Sequence, residues 1–378
     1  MRGAVADSGR RIGALLWKES LQILRDPSSI LIAFVLPGLL LFIFGYGVSL
    51  DATQVPIGLV LEDSTPEIRS FAAAFTDSRY FDARLGTERR AFEAAMLAGD
   101  LHGVVVVPGY FSSRYVGPAG EAPIQLITDG SQPNTASFVE GYVRGAWQLW
   151  QAQQARARGE EPHRLASLEP RYWYNPELNS HYFLVPGSIA IIMALIGTLL
   201  TALVVAREWE RGTMEALLAT PVGIAELLVG KLVPYYLLAM GSALTSVALA
   251  VSLFGVPYRG SLWALALVVT AFLAAALGMG LLISTVARNQ FVAGQMAMLA
   301  AFLPAFLLSG FIFEIASMPL PIRLLTYVLP ARYLVSSLQT LFLAGDIWSV
   351  LLPAIGAMLL IAAVFFRLTA RLTSKRLD

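Results

Sequence analysis

The chain has 378 residues, 56% of them hydrophobic and only 14% charged, with a mean hydropathy of +0.64. A soluble domain carries about 25% charged residues, so a wholly soluble protein is excluded and a membrane protein with a soluble portion is indicated. The net charge of +1 implies no nucleic-acid-binding tail, and the lack of cysteine excludes disulfides, cysteine-ligated zinc and thiol catalysis.

A helix needs about 20 apolar residues to cross the hydrocarbon core. Six charge-free runs are long enough. The first, 28–50, follows a basic stretch, 1–27. It is too long for a signal-peptide core and no small-residue cleavage site follows it, so it reads as a retained anchor. Between it and the second run, 183–206, residues 51–182 change character. "VPIGLVL", "GVVVVP" and "PIQLIT" read as short buried strands. "TPEIRSFAAAF" and "TERRAFEAAMLAGD" have helical spacing. In the second, Phe92, Ala95, Met96 and Gly99 share a face, Thr87 can cap the start and Gly99 can close the end. "TASFVEGYVRGAWQLWQAQQARARG" continues as a long helix with Phe138, Tyr142 and Leu149 on its apolar side. This is an inserted α/β domain large enough for its own core. Asp63, Asp82, Asp100, Asp129 and His102 read as turn or loop residues rather than a catalytic set. The aromatics Tyr172, Trp173, Tyr174, Tyr182 and Phe183 suit an interfacial belt on the way back to the membrane.

The third to fifth spans fall within 232–313, with Pro257 and Gly260 in a tight turn between the third and fourth. Residues 314–346 are apolar but broken by prolines and arginines, and 333–345 is too short to cross. They read as interfacial or re-entrant helices. The last run, 347–366, makes a sixth span over 347–367, followed by a basic tail, 368–378. Lysine and arginine concentrate at one set of span ends (Arg10, Arg11, Lys18, Arg207, Arg211, Lys231, Arg288, Arg367, Arg371), whereas the opposite short loops hold only Arg259, Arg323 and Arg332. The positive-inside rule then places both termini in the cytoplasm and 51–182 outside. The expected fold is an α-helical polytopic membrane protein with six transmembrane helices and an inserted α/β extracytoplasmic domain.

The loop 207–231 opens with "REWERGTMEALLATP", the densest charge in this apolar part of the chain. Gly212 interrupts a helix, Thr213 is a good N-cap, Glu215 suits the first turn and Pro221 ends the helix at Thr220. Met214, Leu217 and Leu218 form one apolar face. So short a helix is not stable alone in water and needs something to pack on. Lipid headgroups would attract Arg207 and Arg211 but repel Glu208 and Glu210; a groove on a soluble partner would use charges of both signs. Physical grounds leave both contacts open. Lys231 reads as the point of membrane re-entry.

"REWERGTMEALLATPVGIAELLVGKLVPYYLL" resembles the signature of type-2 ABC (ABC-2) exporter permeases. "WKESLQILRDPSSILIAFVLPGLLLFIFGYG", "YNPELNSHYFLVPG" and "LLSGFIFEIASMPLPIRLLTYVLPARYL" resemble further segments of that family, in order along the whole chain. The subgroup implied has a large external domain after the first span and is typified by multidrug-efflux permeases. The resemblance implies that the 207–231 loop is a coupling helix docking on an ATPase subunit. Arg207, Glu208, Glu210, Arg211, Gly212, Thr213, Glu215, Leu217, Thr220 and Pro221, with the Met214 and Leu218 face, would form that contact. It implies an amphipathic elbow over 1–27 with Trp17, Lys18, Glu19, Arg25 and Asp26 on the inner leaflet. At "FIFEIASMP" the sequence departs from the family pattern, where proline is common at the position of Glu314. Glu314 reads either as a substrate-path carboxylate or as a water-exposed helix-end residue.

The chain holds no G-x-x-x-x-G-K-[ST] sequence. It is therefore expected to be a transport subunit rather than an enzyme, binding no cofactor itself, with ATP and magnesium in a partner ATPase. The partners expected are that ATPase, a second copy or similar permease, and the lipid of a bacterial inner membrane; the external domain could gate the exit or dock a periplasmic adaptor. The substrate expected is hydrophobic or amphipathic, drug-like or lipid-like. An ion-coupled secondary transporter is the competing reading, disfavoured because the six runs hold no charge. A membrane-anchored external protein would need one span, not six.

Overall fold

The computed structural model describes residues 2–47, 54–116, 124–129, 133–159, 174–175, 179–213, 220 and 223–372. The chain divides into two compact units, Met1–Ser49 with Tyr172–Asp378, and Leu50–Arg171.

The first unit is a helical bundle. Among the described residues, six helices are long and apolar enough to span a membrane: Pro27–Gly47, His181–Glu210, Glu226–Ser252, Leu262–Ala287, Gln290–Leu308 and Trp348–Leu372. The third belongs to a helix that begins at Ile224. An elbow helix, Arg2–Leu24, precedes them and packs along the third. Asp26 and Pro27 make the corner into the first span. The Asp26 carboxylate accepts the Ser28 N–H at 3.1 Å, and Pro27 sits in the first turn, where a missing N–H is harmless.

Burial orders the spans. The second is 89% buried and the fourth 67%, against 28% for the first and 22% for the fifth and sixth. A helix apolar on every side belongs in the middle of a bundle, and the second span is that helix. It meets the fourth through small residues: a Cβ on Gly280 would stand 2.4 Å from the Thr198 carbonyl oxygen, so only glycine allows this approach.

After the fifth span the chain makes two single-turn 3-10 segments and a short helix, Leu320–Leu325, and then enters the bundle as Pro330–Leu343. Fourteen residues rise about 21 Å, too short for a core of about 30 Å. Leu334, Val335, Leu338, Leu341 and Phe342 are nevertheless buried in the main core, so this helix enters the bundle without the length to cross it, re-entrant in that sense. Gly345, at φ +94°, turns the chain toward the sixth span. Asp346 accepts the Ser261 N–H at 2.8 Å, and Arg259 donates to the Leu343 carbonyl at 2.9 Å. The turn between the third and fourth spans thereby clamps the re-entrant helix. Its left-handed residue is Gly255 (φ +64°), not Gly260; Gly260 is small because Leu341 lies against it.

The second unit is an α/β fold around a four-stranded sheet of order β2-β1-β3-β4. β1 (Val55–Leu61) pairs in parallel with β2 (Phe81–Gly86) and β3 (Gly103–Val107), and β4 (Gln125–Thr128) runs antiparallel to β3. β2 has no counterpart in the sequence reading, because at the sheet edge it buries only Phe81 and leaves Asp82, Arg84 and Leu85 exposed. The helix Pro66–Thr76 starts at Thr65, whose hydroxyl accepts the Ile68 N–H. The helix Arg89–Leu97 starts one residue later than expected, with Glu88 rather than Thr87 at its cap position and no side-chain cap bond. Phe92, Ala95 and Met96 pack on the sheet as expected, and Gly99 closes the helix at φ +83°.

The long helix Pro133–Ala157 packs Tyr142 against the core as expected but corrects the other two residues of the expected apolar face. Val139, Val143, Ala146 and Trp150 are buried, at spacings of four, three and four, while Phe138 and Leu149 point to solvent. Trp150 is fully buried among Phe71, Phe111 and Trp147, and its indole N–H donates to Ser70 Oγ at 3.1 Å. Trp150→Ala should therefore destabilise this unit by about 3–5 kcal/mol, whereas Leu149→Ala should change it by less than about 0.5 kcal/mol. Limited proteolysis of the full-length protein, reading cleavage within 50–171, checks both. Equal cleavage rates in the two variants would contradict the register.

Candidate functional site

The elbow end of the bundle gathers charge from chain segments far apart in sequence. Lys18 and Glu19 come from the elbow helix, Glu208 from the last turn of the second span, and Lys231 from the third helix, two turns in from Ile224. Lys231 Nζ lies 2.9 Å from Glu19 Oε1 and 2.8 Å from Glu208 Oε1. Lys18 Nζ lies 3.3 Å from the same two oxygens. Two ammonium groups and two carboxylates thus alternate around a closed ring of zero net charge.

Glu19, Glu208 and Lys231 are at most 4% exposed, whereas the Lys18 side chain is half in solvent. Burying an ion costs several kcal/mol unless partners replace its water. The ring supplies them, and the second oxygen of Glu208 accepts the Thr213 hydroxyl. The second oxygen of Glu19 has no protein partner. Burial opposes the charge on Lys18, but Glu19 and Glu208 outweigh it and raise its pKa.

Further pairs brace the ring. Arg207 Nη1 lies 2.9 Å from Asp26 Oδ2, tying the elbow corner to the end of the second span. Burial works against ionised Asp26, but hydrogen bonds from Arg207 and Ser29 outweigh it and hold the carboxyl below its usual range. That stabilisation is present above the ordinary carboxylate range and is lost as pH falls through the lowered pKa. Arg11 Nη2 lies 3.0 Å from Glu226 Oε1, and Glu226 Oε2 accepts the Gly223 N–H at the start of the third helix. A Cβ on Gly230 would come within 2.7 Å of Leu15 Cβ, so glycine lets the elbow lie against that helix. Glu210 accepts hydrogen bonds from Asn289 and Gln290 at the start of the fifth span, and Arg288 stacks over Trp209 at 4.7 Å.

The residues expected to face a partner thus divide. Arg207, Glu208 and Glu210 are engaged within the chain. Arg211 and Gly212 are exposed; Gly212, at φ +69°, ends the second-span helix by donating to the Trp209 carbonyl. The Thr213 hydroxyl turns back to Glu208, and Thr220 is half-buried. Met214, Glu215, Leu217, Leu218 and Pro221 lie outside the described residues. On the elbow, Trp17 and Arg25 are exposed while Glu19 is buried. Glu314 is exposed and takes no part in this site; it lines a cavity beyond the fifth span.

The buried pairing of Lys231 is what the sequence reading missed. Lys231 sits inside a helix begun at Ile224, between two carboxylates. The available signal was its position within a helical pattern opened by Gly223 and Glu226: an ionisable residue on such a helix requires a buried partner. Among the described residues no group of three or more His, Asp or Glu could hold a metal.

The profile of the ABC-2 family transporter proteins matches residues 28–371. The chain is 52% identical over 371 residues to the "Probable multidrug ABC transporter permease YbhS" of Escherichia coli K12, covering 98% of each. It is 29% identical over 358 residues to the "Probable multidrug ABC transporter permease YbhR" of the same strain, covering 91% of this chain and 94% of the relative. To the "Inner membrane transport permease YhhJ", also of that strain, it is 29% identical over 280 residues, covering 72% and 73%.

Removing one member of a buried ion cluster leaves the others unpaired. Lys231→Met should lower stability by about 3–5 kcal/mol, read as a fall in Tm of the full-length protein in detergent. Adding Glu19→Gln removes one stranded carboxylate, so the double variant should be more stable than the sum of the single effects. Strict additivity would show that the two residues do not interact.

Proposed function

The chain belongs to the ABC-2 family of transporter proteins, and from that membership we propose that it is the membrane-spanning permease subunit of an exporter whose ATP is hydrolysed by a separate chain. The observation that carries the proposal is how the loop after the second span is held. Ion pairs grip it on both sides: Glu208 and Arg207 before it, Glu226 and Lys231 after it. Between them Arg211 and Gly212 stand exposed. A force on this loop therefore passes directly to the second span, the third helix and the elbow, which is what an energy-coupling contact requires.

In this reading the loop, including Met214, Glu215, Leu217, Leu218 and Pro221, docks on a P-loop ATPase that binds ATP and magnesium. The ring accounts for why so many charges stand here: most hold the permease together, and Arg211 is left to meet the partner. The positive-inside rule puts this end, and both termini, in the cytoplasm and residues 51–182 outside an inner membrane. The exposed apolar side chains of the first and fifth spans, among them Phe42, Ile43, Leu299 and Leu303, face lipid or a second permease. The substrate is hydrophobic or amphipathic, consistent with spans whose charges are confined to their ends.

The test is co-purification with a candidate ATPase and measurement of its ATP turnover. Arg211→Glu should sharply weaken co-purification while leaving the Tm of the permease alone unchanged, because Arg211 is exposed. Normal assembly and turnover by this variant would overturn the docking assignment.

A further inference from the structure

At the other end of the bundle lies a cavity that the coupling reading does not use. The fifth span starts at Gln290, beside Glu210 of the elbow end, and its 19 residues rise about 28 Å to Leu308. Beyond it the chain turns at Gly310 (φ +89°) and passes Glu314. A cavity of about 420 Å³ opens there, bounded by this turn, the re-entrant helix and the start of the sixth span.

Its lining carries two opposite charges that do not pair with each other. Glu314 is exposed and has one weak contact, from the Ser317 hydroxyl at 3.5 Å. Arg332 comes from the re-entrant helix; its guanidinium lies 3.9 Å over the Tyr327 ring and donates to the Thr326 hydroxyl. These contacts fix the guanidinium in place without neutralising it. Two lining groups have unmet hydrogen-bonding capacity. Ser309 is 1% exposed and its hydroxyl has no partner, and Gln339 Nε2 is buried and equally unpartnered. Buried polar atoms are seldom left unsatisfied unless something else meets them. Much of the remaining wall is apolar, including Ile315, Val335, Val350 and Pro353.

We propose that this cavity binds a zwitterionic amphiphile, its cationic group on Glu314, its anionic group on Arg332, and its hydrocarbon against Val335 and Pro353. Arg332 offers the planar donor fork suited to a phosphate or carboxylate. A purely anionic ligand would leave Glu314 opposed to it, and a purely cationic one would face Arg332. Such a molecule can come from the surrounding bilayer as a phospholipid or be a transported amphiphile. Binding here requires no ATP, so this inference stands or falls separately from the coupling reading.

The test is native mass spectrometry of the full-length chain released from an uncharged maltoside detergent. Phosphatidylethanolamine, phosphatidylglycerol or water-soluble phosphoethanolamine is added. Wild type should retain phosphatidylethanolamine over phosphatidylglycerol by about tenfold, the scale of one desolvated charge contact. Glu314→Gln should erase that preference, and Arg332→Gln should weaken both lipids. Ser336→Trp, which fills the cavity from an exposed position on its lining, should lose the bound lipid while keeping the wild-type Tm. No preference in wild type, or an undiminished one in Glu314→Gln and Ser336→Trp, would overturn the proposal. Competition by phosphoethanolamine as effective as by the lipid would overturn the amphiphile assignment and point to a free zwitterion.

Discussion

Lys231 is an ammonium group with two carboxylate partners and almost no contact with water. Everything at the elbow end of the bundle follows from that placement. An unpaired ammonium this deeply buried would cost several kcal/mol, so Glu19 and Glu208 must be present, and in register. Each comes from a different helix. One ionic contact therefore specifies at once where the elbow lies, how far the second span extends and where the third helix begins. Hydrophobic packing could not do this alone, because apolar side chains slide past one another at little cost, whereas a buried charge has one acceptable partner geometry.

The two ends of the bundle differ in the bonds that hold them. The elbow end is fastened by ion pairs between helices, with Arg207–Asp26 and Arg11–Glu226 bracing the ring. The opposite end is fastened by hydrogen bonds to backbone, as Asp346 and Arg259 grip the turn and the re-entrant helix. Between them the second and fourth spans touch through Gly280, Thr198 and Thr201 with no charge at all. The charged end thus joins three helices by ion pairs, while the second and fourth spans meet through small, uncharged residues.

Much of this was legible in the sequence. Apolar runs of about 20 residues locate the spans, since length and composition are all that crossing a bilayer demands. That Pro330–Leu343 is too short to cross was readable from its length, and the family from motifs in order along the chain. What could not be read depended on contacts made at long range. Glu19 and Lys231 are 212 residues apart, and nothing local to either announces the other. The charges of 207–211 looked like a display for a partner because their internal partners, Asp26, Lys231 and Gln290, lie elsewhere in the chain. In the inserted unit the error was local. Phe138 and Leu149 are larger and more apolar than Val139 and Ala146, so size suggested the wrong face, and only the position of the sheet corrects it. The edge strand at Phe81 was missed because a strand with one solvated face and few apolar residues resembles a loop.

The buried ring should hold the elbow and the third helix together as a single rigid body. The chain has no native cysteine, so spin labels can be placed without background at Ala14→Cys on the exposed face of the elbow and Leu253→Cys at the far end of the third helix. The direct measurement is the distance between them by double electron–electron resonance, in the transporter assembled with its ATPase, with and without ATP. The account predicts one distance distribution that nucleotide leaves unchanged. A second population displaced by about 5 Å, one helical turn, would contradict it by showing that the elbow slides on the helix it is bonded to.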